Sequence, residues 1–110
     1  MFIVELTYTR PLAEIDALLD AHVTWLRQGY RDGLFLASGR KTPRDGGVIL
    51  ARAESQDALL ARLAEDPFAL AGVARYHIIT FTPGMAAPGL ESLIEQGPAR
   101  QGHGECFVAN

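Results

Sequence analysis

Four segments of strand-like apolar alternation, two segments of helical apolar spacing, and their order β-α-β-β-α-β predict an α+β fold. That order is the split βαβ, ferredoxin-like sandwich, with two helices on one face of a four-stranded antiparallel sheet. A third observation concerns assembly. The strands are apolar on both sides: Ile3 beside Val4, Phe35 beside Leu36, Ile49 beside Leu50, Ile78 beside Ile79. A sheet with one wet face alternates more cleanly. The simplest cover for the second face is another copy of the same sheet, which gives a homodimer of the dimeric α+β barrel type. The long C-terminal segment competes for that role.

Each element has its own local reason. Phe2, Val4, Leu6 and Tyr8 alternate with Ile3, Glu5 and Thr7, which is a first strand. Pro11 suits the first turn of a helix from Leu12 to Arg31, and Gly33 suits its end. Leu34 to Gly39 reads as the second strand. The turn-rich stretch RKTPRDGG follows, and Gly47 to Ala53 is the third strand, antiparallel to the second. Ser55 is a natural cap for a second helix over Gln56 to Glu65, with Leu59, Leu60 and Leu63 inward. Pro67 to Gly72 is one further helical turn, and Ala74 to Thr82 the fourth strand. Beyond Gly84 the composition turns to Gly, Pro and Ala, with one short helical candidate from Leu90 to Gln96. The expected organisation is one domain over residues 1–83 and an extension over residues 84–110.

Composition narrows the function. The 110 residues carry a net charge of −3 with Lys and Arg scattered, which gives no basic stripe for nucleic acid. No apolar run approaches a membrane span. The N-terminus lacks the pattern of a secretory signal, and one cysteine, Cys106, excludes an intramolecular disulfide framework. The expectation is a cytoplasmic protein without nucleic-acid or membrane partners. Three histidines and one cysteine offer no H-x-x-x-H or C-x-x-C spacing, so neither a metal nor another cofactor is expected.

The stretch LLDAHVTWLRQGY holds the chemistry. Wound at about 100° per residue, it stacks Ile15, Leu19, His22 and Leu26 in one line, so an ionisable ring points at the core. Asp66 lies three residues after Leu63 and seven after Leu59, on the inward side of the second helix. Asp before Pro is also an N-cap and N1 pair, and a carboxylate with two oxygens can cap and still serve chemistry. In a ferredoxin-like fold the two helices lie side by side, so His22 and Asp66 can meet. A carboxylate beside an imidazole fixes its tautomer and favours its protonated form, which suits general acid–base work. Each residue alone also has a structural reading: a core histidine bonded to a backbone carbonyl, and a simple cap.

The residues together resemble the YciI-like, YCII-related family. The likeness covers about residues 2 to 83. It rests on the element order, the histidine of AHVTWL, Ser38-Gly39 closing the second strand, the Gly-Gly pair entering the third, and DPF after the second helix. The resemblance implies a ferredoxin-like fold, dimerisation through sheet faces, and a pocket holding the His22–Asp66 pair with Ser38 in its wall. It also implies proton transfer, isomerisation or elimination on small ring compounds. The extension past Gly84 departs from the pattern.

Arg40 and Lys41 end the second strand near that pocket, where an arginine fork can hold a substrate carboxylate. A solvated hairpin base is the alternative. Phe68 of DPF joins Ser38 and Arg40 as a substrate-binding residue. ASGR is not a nucleophile elbow, so Ser38 is a hydrogen-bonding group. Trp25 is packing, and His77 faces the dimer interface. His103 and Cys106 lie in the tail. The expected function is a cofactor-independent lyase or isomerase acting on a small polar or aromatic metabolite, with His22 and Asp66 catalytic. The alternatives are a non-catalytic metabolite-binding accessory module, and a dimer in which the pair only ties two helices.

Overall fold

A computed structural model describes residues 1–94. The chain runs β1 (Phe2–Tyr8), α1 (Leu12–Arg31), β2 (Phe35–Arg40), β3 (Gly46–Ala51), α2 (Gln56–Leu63), α3 (Pro67–Leu70) and β4 (Ala74–Thr80). The strands form one antiparallel sheet in the order β2-β3-β1-β4. This is the α+β, ferredoxin-like arrangement the sequence predicts, with a one-turn third helix.

Pro11 occupies the N-cap of α1 and supplies no side-chain cap. The first turn is tied instead by Arg10, which donates to both oxygens of Glu14 at 3.1 and 3.0 Å. An acidic group there also favours the positive end of the helix dipole. Gly33 closes α1 at φ 75°, a left-handed backbone that glycine adopts without strain. Ser55 Oγ accepts from the Ala58 N–H and caps α2. That helix stops at Leu63, two residues before the expected Glu65. The cause is Pro67, which disfavours helical backbone at Asp66 and holds it extended at φ −61°, ψ 129°.

The sheet shows how the site is aimed. Phe2, Val4 and Leu6 of β1 pair with Ala51, Ile49 and Gly47 of β3, and this row faces the helices. It packs with Ile15 and Trp25 of α1, Leu59 and Leu63 of α2, and Phe68 of α3 to form the core. On β2 the register shifts between Phe35 and Ala37. Phe35 faces the helices opposite Ala51, and after the bulge Ser38 and Arg40 do so opposite Ile49 and Gly47. β3 begins at Gly46, one residue before the expected Gly47, so Gly46 belongs to the strand and not to the turn. A Cβ on Gly46 would lie 1.8 Å from the Leu6 carbonyl oxygen, so only glycine fits that approach.

The opposite face of the sheet is mixed. Val48 is 38% and Ile79 47% exposed. Lys41 Nζ donates to Glu5 Oε2 at 2.9 Å on that side, away from the pocket where the sequence had set Lys41.

Met1 and the described residues from Thr80 onward form a second compact unit. Within it, the Phe81 N–H donates to the Met1 carbonyl at 2.9 Å, and Glu91–Leu93 make a single 3-10 turn. β4 ends at Thr80, two residues short of the expected Thr82. Residues 95 and 96 of the expected last helix, and with them His103 and Cys106, lie outside the described residues.

Candidate active site

Helical spacing brings His22 to the inner face of α1, where it is only 8% exposed. Asp66, fully buried, opens α3 directly beneath it. His22 Nδ1 lies 2.7 Å from Asp66 Oδ1. The same Oδ1 accepts from the Phe68 N–H at 3.1 Å, so Asp66 caps α3 and holds the imidazole at once. Oδ2 accepts from the Tyr76 hydroxyl of β4. A carboxylate that already accepts from an N–H and an O–H is an acceptor, so His22 Nδ1 is the donor and Nε2 carries the lone pair.

The imidazole lies flat on Phe68, ring centres 4.0 Å apart and planes 8° from parallel, and Trp25 flanks it at 5.6 Å. Trp25 is fixed in turn by its Nε1, which donates to the Arg62 carbonyl at 3.1 Å. Phe68 is fully buried beneath His22, and burying its ring contributes about 1.5–3 kcal/mol.

A pocket of about 170 Å³ opens above this pair. α1 lines it with Leu19, His22, Val23 and Leu26, and the sheet with Leu6, Tyr8, Ile49, Ser38 and Arg40; Phe68 closes the base. His22 thus borders the hollow and Asp66 is sealed behind it. Among the described residues, the one buried side-chain nitrogen or oxygen lacking a partner is Arg62 Nη1. His22 Nε2, without a hydrogen-bonding partner among the described residues, is not such a buried atom and so keeps its contact with the open volume.

All five residues singled out from the sequence sit in one place. His22, Ser38, Arg40 and Phe68 line the pocket and Asp66 stands behind it. Ser38 Oγ also shares a hydrogen bond with the Tyr30 hydroxyl at 2.6 Å. Sequence reasoning missed Tyr76 and Tyr8. The signal for Tyr76 was its parity with Ala74 and Ile78, which turns the hydroxyl inward, where it must find an acceptor. Burial first, then the hydrogen bond and charge of Asp66, push its phenol far above the usual tyrosine range.

The described residues hold no cluster of three or more His, Cys, Asp or Glu able to bind a metal ion. No helix among them is long and apolar enough to cross a membrane.

The family model described as the YCII-related domain matches residues 1–82. The chain belongs to this YCII-related family. The match takes in every residue of the pocket and of the His22–Asp66–Tyr76 group. No curated protein matches the chain in sequence. Among solved structures, this YCII-related chain is similar to 5-chloro-2-hydroxyhydroquinone dehydrochlorinase, TftG, from Burkholderia phenoliruptrix AC1100, in complex with 2,5-dihydroxybenzoquinone. The TM-score is 0.60 at 20% identity, over 74% of this chain and 94% of that one. At that identity the likeness shows the fold.

Proposed function

We propose that the protein is a cofactor-independent lyase or isomerase that moves a proton on a small hydroxylated ring compound. The observation that carries this reading is a buried imidazole bonded to a sealed carboxylate through Nδ1, with Nε2 turned to an apolar pocket. Apolar walls and the flat Phe68–His22 stack suit a planar ring. Arg40 and Ser38 supply a cation and a hydroxyl for its oxygens. His22 Nε2 takes a proton from the ring or its hydroxyl. The electron pair left behind enters the ring and either expels an anionic group or takes a proton back at another atom. The Asp66 carboxylate stabilises the imidazolium. The ligand named for the dehydrochlorinase is a ring of this kind.

The exposed Val48 and Ile79 on the sheet face away from the helices support a homodimer closed through that face. The molecule works on a metabolite in the cytoplasm, with residues 1–83 as the working domain and residues 84–110 as its extension.

The test is a panel of chlorinated and hydroxylated hydroquinones, followed by absorbance and chloride release. The expected result is saturable turnover, reduced about 10²- to 10⁴-fold in His22→Gln. Equal turnover by that variant overturns the proton-transfer role. Saturable binding without turnover across the panel favours the accessory binding module.

A further inference from the structure

We propose that Tyr76 is a positioning residue, which by its bond to Asp66 Oδ2 sets how strongly the carboxylate holds the His22 imidazole. This rests on the reading of His22 as the group that accepts the proton.

Three strands of observation meet at one carboxylate. Oδ1 accepts from His22 Nδ1 at 2.7 Å and from the Phe68 N–H at 3.1 Å; among the described residues, Oδ2 accepts from the Tyr76 hydroxyl alone. Asp66 is fully buried, so no water replaces a missing donor. The three donors come from three separate elements, α1, α3 and β4. Two of them are structural necessities: the cap of α3 and the imidazole. The third is a free design choice, since a phenylalanine at position 76 would fill the same inward space in β4.

A donor on Oδ2 draws negative charge toward that oxygen and leaves less on Oδ1. The imidazolium that forms when His22 takes a proton is stabilised by the charge on Oδ1. Tyr76 therefore moderates His22, keeping it able to give the proton up again. It also stops the carboxylate from rotating about its own bond, so the ring keeps one orientation over the pocket. The other charged or titratable groups lining the pocket are Tyr8 from β1 and Arg40 from β2; β3 contributes the uncharged Gly47 and Ile49. Both Tyr8 and Arg40 are unchanged in the variants below and cancel in the comparison.

Diethyl pyrocarbonate provides a readout independent of any substrate, because it acylates a histidine only through its neutral imidazole. Labelling of the His22 peptide is followed by mass spectrometry against pH, on the full chain. In Tyr76→Phe the acid limb of the labelling rate is expected to move up by about half a pH unit, through loss of the hydrogen bond to the anion. With 3-fluorotyrosine at position 76, a stronger donor of nearly the same size, the limb is expected to move down. Should the phenylalanine variant fail to fold, the fluorotyrosine protein carries the test alone. A limb that stays within about 0.2 pH unit in the folded variants, with only the melting temperature lowered, makes Tyr76 a brace and overturns the proposal. A limb that moves as stated while His22→Gln loses no turnover leaves the positioning standing and sinks the catalytic reading.

Discussion

The two faces of the sheet carry the same kind of contact under opposite conditions. On the helix face His22 meets Asp66 at 2.7 Å with the carboxylate fully buried. On the open face Lys41 meets Glu5 at 2.9 Å with the Glu5 side chain 44% exposed. Distance does not separate them; water does. A sealed carboxylate must be satisfied by the protein, and Asp66 accepts from three donors. An exposed one has water as its alternative partner, and Glu5 needs none of its protein contacts to remain ionised. The lesson is that the helix-face pair is bound into the fold, whereas the open-face pair is a local ornament of β1 and the hairpin that follows β2.

The largest effect comes from breaking the sealed pair. Asp66→Ala removes the cap of α3 and leaves the His22, Phe68 and Tyr76 donors facing an apolar void. The expected loss is about 3–5 kcal/mol, as for breaking other buried charged networks. A domain of this size has roughly 5–15 kcal/mol in total, so the variant sits near the edge of folding. Urea unfolding measures it. Asp66→Asn, which keeps the shape and one acceptor oxygen, is expected to fall between the two. A loss in Asp66→Ala as small as that of a surface residue would mean that Asp66 is not the hub of this face.

Much of this contrast was legible in the sequence, and the reasons for the exceptions are physical. His22 and Asp66 were readable because helical period and the Asp-Pro cap fix direction locally. Ser38 and Arg40 were placed near the pocket by strand position, but their facing depends on the bulge. Strict alternation from Phe35 would have turned Ala37 and Gly39 inward and both of them outward. Nothing in LFLASGR announces a bulge. Lys41 went astray for the same reason: one more residue puts it on the open face with Glu5. Gly46 read as a turn because close approach to the Leu6 carbonyl and a turn both ask for glycine. Tyr76 escaped because its partner lies ten residues away across a change from helix to strand, a contact no single period encodes.

A second, intermediate effect sharpens the comparison by asking whether the open face stays open. Ile79 is 47% exposed on the side of β4 opposite Tyr76 and Ile78. If two copies close through this face, Ile79→Glu sets two carboxylates against each other near a two-fold axis and desolvates both. Sedimentation velocity is expected to show a dimer for the wild type and a monomer for the variant, with unchanged far-UV circular dichroism. A monomeric wild type at tens of micromolar would leave the sheet face as a surface and remove the dimer from the reading.

The smallest effect belongs to Glu5. The hydrogen bond from Lys41, then its charge, hold the Glu5 carboxyl below the usual glutamate range; a weaker pull from His77 acts the same way. A group whose folded value is depressed adds stability above its unfolded value, near 4.3, and loses it as pH falls through the folded value. Glu5→Gln is therefore expected to lower the melting temperature slightly at pH 7 and by progressively less as the pH drops through the acid range. Salt should erase the difference as well, because a pair in contact with water is screened over about 8–10 Å at ordinary ionic strength. Protein concentration makes this small effect informative. If dimerisation covers the open face, the Glu5–Lys41 pair leaves water as the dimer forms, and the effect of Glu5→Gln grows and loses its salt dependence at high concentration. If the face stays wet, the effect is the same at every concentration, and the contrast between the two faces holds in solution as it does within one chain.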